Sequence, residues 1–273
     1  MATESVNGVL LRYALSGTGE VPLVLVHGSW GSHRNWDLVV PGLARSFQVL
    51  TYDRRGHCES ECPSGQGSIG EDVDDLAALI ELLGLAPAYV VGDSRGSVIT
   101  LRLAGERPDL LRGVVVHEPP LFSLLASDSA MAPVLEEMRE RVNAVLERIE
   151  SGDHDGAAEQ FCDMALGPGT WAQFPLETRQ TWIENALTFL DEERDPEVGA
   201  VDLVSVGAFP GPMLLTTGGN SPPMFSPVVA RLAEALLGAE TLTYARAGHI
   251  PHATHADAYV EATAAFIHRH ESA

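Results

Sequence analysis

The chain is poor in cations, thiols and aromatic rings, and the first two shortages each remove a class of function. Against 38 Asp and Glu stand only 17 Lys and Arg, a formal net charge of −21. That balance repels phosphate backbones, and with no basic stripe no nucleic-acid partner is expected. Cysteine is confined to Cys58, Cys62 and Cys162. An odd count, in which the Cys58–Cys62 spacing has no second pair, provides neither a disulfide framework nor a zinc site, so reduced structural thiols are expected. No run approaches the roughly eighteen apolar residues of a membrane span, and the opening Met-Ala-Thr-Glu-Ser lacks a basic-then-apolar leader. The expectation is a cytoplasmic protein that engages neither membrane nor nucleic acid.

What is present suits a globular interior. Hydrophobic residues make up 45% of 273 positions, with mean hydropathy of +0.05, enough for one α/β domain carrying an insertion. The chain is organised around Ala88 to Thr100. An apolar run at Ala88–Val91 reads as a buried strand, Gly92-Asp93-Ser94-Arg95-Gly96 is a Gly-x-Ser-x-Gly turn, and Val98 to Leu103 is helix-compatible. Small residues on both sides leave room for a strained backbone at Ser94, and the following helix points its free N–H groups at the serine, favouring negative charge there.

Strand, Gly-x-Ser-x-Gly turn and helix in this order resemble the nucleophile elbow of the α/β-hydrolase superfamily, in its serine esterase and cofactor-free haloperoxidase-like branch. The resemblance implies an α/β-hydrolase fold: a mainly parallel central sheet flanked by helices, with an inserted helical cap. The rest of the chain fits that order. Val6–Ser16 suggests a hairpin about Gly8, Pro22–Val26 a buried strand, 33–46 a helix and Gln48–Tyr52 a strand. Asp53-Arg54-Arg55-Gly56-His57 resembles a family segment in part, and Asp53 and Arg55 are expected to organise loops through ion pairs. Ser68 and Glu71 have capping-box spacing before a helix whose Val73, Leu76, Ile80 and Leu83 share a face. Leu111–Val116, Pro212–Thr217 and Glu240–Ala245 read as further strands. Pro227–Leu237 and Ala256–Arg269 read as helices. Between about 122 and 207 no convincing buried strand occurs, and helical spacing at 130–149, 155–165 and 176–191 marks the insertion. The expected domains are therefore a core of 1–121 and 208–273 and a cap of 122–207.

A serine hydroxyl needs a base, and among ten histidines His249 stands just beyond Gly248 after the last strand, where the resemblance puts that base. The acid that would orient it is missing from its usual place. Gly218-Gly-Asn-Ser-Pro-Pro223 follows the strand at Pro212–Thr217, and no Asp or Glu occurs from Gly211 to Ala233. Strand ends converge on one crevice, so Glu118, directly beyond the strand after the elbow helix, is the expected replacement. Some haloalkane dehalogenases of the superfamily place their acid there. By the same resemblance the oxyanion donors are the N–H groups of Ser29, in His27-Gly28-Ser29, and of Arg95, with His27 bracing the loop. Trp30 and Trp171 are candidate substrate contacts; Phe161, Met164, Phe174, Trp182 and Phe189 are further residues able to face the pocket. Asp93 and Arg95 are expected to pair, the alternative being an Arg95 that reaches a substrate carboxylate or carbonyl. His249, His252 and His255 form a His-x-x-His-x-x-His series without a completing carboxylate or cysteine, so neither metal nor cofactor is expected.

The function implied is a serine hydrolase that cleaves a small-molecule carboxylic ester or lactone through an acyl-enzyme. Alternatives are a cofactor-free perhydrolase or haloperoxidase, a carbon–carbon bond hydrolase or lyase, and a catalytically slow ligand-binding member. Ser94 argues against haloalkane dehalogenase and soluble epoxide hydrolase chemistry, which uses an aspartate nucleophile. Oligomeric state is open, a homodimer included.

Overall fold

The computed structural model describes residues 1–272. The chain opens with a hairpin, β1 (Ala2–Val6) and β2 (Val9–Ser16). Between them Asn7 and Gly8 take φ values of 47° and 85°, as a two-residue hairpin turn requires. There follow β3 (Val21–Val26), a 3-10 turn at His33–Trp36, α1 (Val40–Leu43), β4 (Phe47–Tyr52), α2 (Ile69–Leu82), β5 (Ala88–Asp93), α3 (Arg95–Glu106) and β6 (Leu111–His117). The single helix expected over 33–46 is instead two short pieces, because Pro41 has no N–H to bond back and Pro41 and Gly42 are poor helix interior residues. Ser68 does cap α2, with the Glu71 carboxylate accepting the Ser68 N–H at 3.1 Å.

Between β6 and β7 (Met213–Gly218) the chain makes a helical excursion: α4 (Ala132–Glu150), α5 (His154–Leu166), α6 (Leu176–Glu184), α7 (Ala186–Arg194) and α8 (Leu203–Gly207). It closes with α9 (Phe225–Ala235), β8 (Glu240–Tyr244), α10 (Pro251–Thr254) and α11 (Ala256–Glu271). The sheet has the order β1-β2-β4-β3-β5-β6-β7-β8, parallel from β4 to β8.

Central strands are apolar throughout because both faces are covered. On β3, Val24 and Val26 join residues of α2, α3 and α9, whereas Leu23 and Leu25 join Leu43 of α1 and Phe266 and Ile267 of α11. A third cluster sits above the strand ends, where Trp30 meets Val145, Ile149, Ala186 and Phe189 of the excursion. Leu125 and Val206 pack with the sheet-side cluster. Leu135 and Met138 of α4 pack against that cluster as well, so packing draws no line between the core and the excursion expected over 122–207. Its two ends meet: a Cβ placed on Gly199 would stand 4.0 Å from the Pro120 carbonyl oxygen. Among the described residues no helix is long and apolar enough to cross a membrane.

Candidate active site

Ser94 joins β5 to α3 with φ 52° and ψ −118°, a backbone state that non-glycine residues hold only under constraint. The constraint is close packing on either side. A Cβ on Gly92 would lie 2.3 Å from the Gly96 carbonyl oxygen, and one on Gly96 would lie 2.1 Å from that of Val26. Nothing larger than hydrogen fits. The loop after β3 is equally near, since a Cβ on Gly28 would be 3.0 Å from Ser94 Cβ and 3.7 Å from the Arg95 amide nitrogen. Residues 28, 29, 94 and 95 are thereby brought together at the N-terminus of α3, where the helix favours negative charge.

Glu118, the first residue past β6, has a φ of 47° and a fully buried side chain. Its Oε1 accepts the Thr217 hydroxyl at 2.8 Å and the Gly218 N–H at 2.7 Å, and its Oε2 accepts from His249 Nδ1 at 2.6 Å. The end of β7, which carries no acid, thus supplies donors that hold an acid from its neighbour. Burial opposes ionisation of Glu118, but these hydrogen bonds and the nearby imidazoles bring its pKa down to about 2. Burial likewise acts to lower His249, yet the hydrogen bond and charge of Glu118, aided by Asp93, leave it above its ordinary value. With Nδ1 committed as donor, Nε2 is left with its lone pair. Phe225 stacks on the ring at 4.3 Å and 18°.

Ser94, His249, Ser29 and Arg95 line one cavity of about 190 Å³. Its remaining wall is largely apolar, built by Phe122, Met138, Phe161, Met164, Phe189, Met224 and Phe225. Of the candidates, Phe161, Met164 and Phe189 line this cavity, while Phe174 and Trp182 do not. Trp30 and Trp171 do not line it either. Trp30, fully buried with φ 62°, stacks on Phe161 at 5.3 Å and Trp182 at 6.0 Å, while Trp171 packs near Phe174 and Trp182 with the Arg179 guanidinium 5.8 Å above it. Both are spent in joining or filling the helical layer, which the large apolar area of an indole explains.

A polar network lies on the other side of Arg95, along a second cavity of about 240 Å³. The pairing expected between Asp93 and Arg95 does not form. Arg95 donates to the Val198 carbonyl at 2.7 Å and to Glu193 at 2.8 Å, both in the excursion. Asp93 is buried with Oδ1 unpartnered, 3.9 Å from His252 Nδ1. Burial raises its pKa, with His249 opposing and Glu118 assisting, to about 7. Arg54, 1% exposed, bonds Asp72 at 2.8 Å, the Gly28 carbonyl at 3.2 Å and Glu192 at 2.6 Å. His27 accepts the Arg54 N–H at Nε2 (3.1 Å) and meets the Gly28 carbonyl through Nδ1 at 2.9 Å, a bracing arrangement. Arg55 pairs with Glu71 and, at 2.8 Å, with Asp75; Asp53 holds His33.

The C-terminal histidines disperse. His252 lies 4.8 Å from Trp36, with burial taking its pKa down to about 3, and His255 is near Thr254. His117, Glu118 and His249 offer ligand atoms within 4.8 Å of one another. His249 Nδ1 is committed to Glu118 and His117 Nδ1 is 2.9 Å from the Thr216 hydroxyl, while His117 Nε2, 3.6 Å from Glu118 Oε2, has no hydrogen-bond partner among the described residues.

The sequence profile of the alpha/beta hydrolase fold matches residues 21–256. The chain belongs to the α/β-hydrolase family. Among curated members of that kind, an uncharacterized hydrolase of Bacillus subtilis, YraK, is 31% identical over 163 residues, covering 57% of this chain and 60% of its own. That match thus spans less than two thirds of the relative's length. Mouse ABHD11, an sn-1-specific diacylglycerol lipase, is 27% identical over 272 residues, covering 93% and 83%. Est816, described as an N-acyl homoserine lactone degrading enzyme, superposes with a TM-score of 0.78 at 20% identity, covering 97% of this chain and all of that one; this likeness shows the α/β-hydrolase fold.

Sequence reading missed Arg54, Asn185, Glu192 and the Thr217–Gly218 cradle. Glu192 lies within Asp191-Glu-Glu-Arg194, which looks like a solvated helix face. Asn185 lies inside the single helical pattern of 176–191, where one weak helix former does not mark a break.

Proposed function

We infer that the protein is a serine hydrolase acting on a carboxylic ester or lactone through an acyl-enzyme. Ser94 Oγ attacks the carbonyl as His249 Nε2 takes its proton; Glu118, itself remaining ionised, stabilises the imidazolium and fixes its tautomer. The Ser29 and Arg95 N–H groups hold the tetrahedral oxyanion, a contribution of about 10²–10³ in rate per donor in such sites. His249 then returns the proton to the leaving alkoxide, and water repeats the sequence on the acyl group. The observation that carries this reading is the 2.6 Å contact between buried Glu118 and Nδ1 of His249, whose ring lines the same cavity as the strained Ser94. The helical layer acts as the cap. Its apolar side chains favour a small-molecule substrate whose acyl or alkyl group is uncharged, in keeping with the ester and lactone chemistry named for the lipase and lactone-degrading proteins above.

The test is intact-mass analysis after exposure to a fluorophosphonate. One adduct on the wild type, absent from Ser94→Ala, is expected. An unlabelled, folded wild type would remove the serine-hydrolase reading.

A further inference from the structure

Glu192 projects from α7 of the cap, and its carboxylate, 10% exposed, is shared among the residues that carry the oxyanion donors. It accepts the Ser29 hydroxyl at 2.5 Å, lies 3.7 Å from Arg95 Nε, and binds Arg54 Nη2 at 2.6 Å. The same Arg54 nitrogen reaches the Gly28 carbonyl at 3.2 Å. One cap carboxylate therefore touches Ser29 directly, approaches Arg95, and acts on the residue 28 peptide through Arg54. Burial disfavours its charge, but Arg54, Arg95 and the Ser29 hydroxyl outweigh that and keep it ionised.

We propose that Glu192 is a positioning residue that makes the oxyanion hole conditional on a seated cap. With α7 in place, the carboxylate fixes the Ser29 side chain by hydrogen bond and adds its charge at 3.7 Å to the hold that Glu193 and the Val198 carbonyl have on Arg95, and so aims the two backbone N–H groups behind Ser94. When α7 lifts, both residues lose a common anchor and buried Arg54 loses a charge partner. Closure over the substrate and assembly of the donors then become one event. Because the donors act on charge that develops only in the transition state, Glu192 contributes to kcat rather than to substrate affinity.

This inference rests on the serine-hydrolase reading, and one experiment separates their failures. Wild type, Glu192→Gln and Ser29→Ala are compared on a p-nitrophenyl ester, on a trifluoromethyl ketone that adds Ser94 to give an oxyanion, and on the matching methyl ketone that stays a neutral carbonyl. Glu192→Gln is expected to lower kcat by about ten- to a hundredfold, as ångström-scale misplacement does, and to weaken the trifluoromethyl ketone in parallel. KM and methyl ketone binding stay within about threefold, below the effect of a lost transition-state contact. Ser29→Ala keeps the backbone donor and every charge, so it should show the same split on a smaller scale and add little in the double variant. It also carries the test if Glu192→Gln does not fold. Unchanged kcat, or equal weakening of both ketones with a raised KM, would overturn the positioning role. A wild type that fails to react with fluorophosphonate overturns the underlying reading instead.

Discussion

Glu118 occupies a left-handed backbone position at the end of β6 and is bound on both carboxylate oxygens. As the proposed general base, His249 must be neutral to accept a proton, so kcat/KM is expected to fall as pH drops through its folded-state pKa. Since Glu118 and Asp93 hold that pKa above 6.5 against burial, the acidic limb of the profile should have its midpoint above pH 6.5. Glu118→Gln removes the two larger raising influences and leaves burial, the largest cause, opposed by Asp93 alone. The midpoint should move below 6.5, and kcat at pH 8 should fall on the order of 10⁴-fold. A pH–rate series on the two proteins checks both, and an unmoved limb would assign the titration to another group. The motif made Ser94 legible, chain order made His249 legible, and the acid-free stretch after Thr217 pointed away from β7. The hydrogen bonds that select Glu118 come from Thr217 and Gly218, about a hundred residues distant, and no local pattern encodes them.

At the scale of elements, the excursion is pinned to the core by a break in a helix. The helical pattern predicted over 176–191 divides into α6 and α7 at Asn185, which is 1% exposed. Its Nδ2 donates to the Gly31 carbonyl at 2.7 Å and to that of Trp30 at 3.2 Å, and its Oδ1 accepts the Cys58 N–H at 3.0 Å. Helical periodicity reports which face is apolar but not a tertiary bond that interrupts it, so the break was invisible in sequence. Asn185→Ala would leave buried backbone groups unpaired at about 1–3 kcal/mol each. Denaturant unfolding should register a loss of about 2–4 kcal/mol, and a change below about 0.5 kcal/mol, the range of neutral surface substitutions, would mean that water replaces the amide. Strands, hairpin and α2 were readable because their patterns are local. The indoles were misassigned because an aromatic on a loop, where the sequence puts Trp30 and Trp171, looks alike whether it faces a ligand or another ring; Trp30 faces Phe161, Trp182 and Phe189.

Across the whole molecule, all 17 basic residues are arginine and none is lysine. Many bridge local carboxylates, as Arg139 does to Glu136 and Arg231 to Glu234 at 3.0 Å, but 21 negative charges remain in excess. Exposed ion pairs are worth little, whereas like-charge repulsion acts over the entire surface and is screened by salt. Raising sodium chloride from 10 to about 300 mM, which shortens the screening length severalfold, should therefore raise the melting temperature by a few degrees. A fall on scanning calorimetry would show that the arginine pairs outweigh the repulsion.

The meeting of Pro120 with Gly199 gives the excursion the form of a closed detour. The chain leaves the sheet route and comes back to almost the point of departure before α8 carries it to β7. Lengthening, trimming or exchanging what lies between need not disturb strand register. On the proposed reading, selectivity for the substrate's apolar portion can thus be altered by grafting while the chemical groups on the strand ends keep their places; the contacts of Asn185, Glu192, Glu193 and the Val198 carbonyl are among the fittings that any replacement part would have to reproduce.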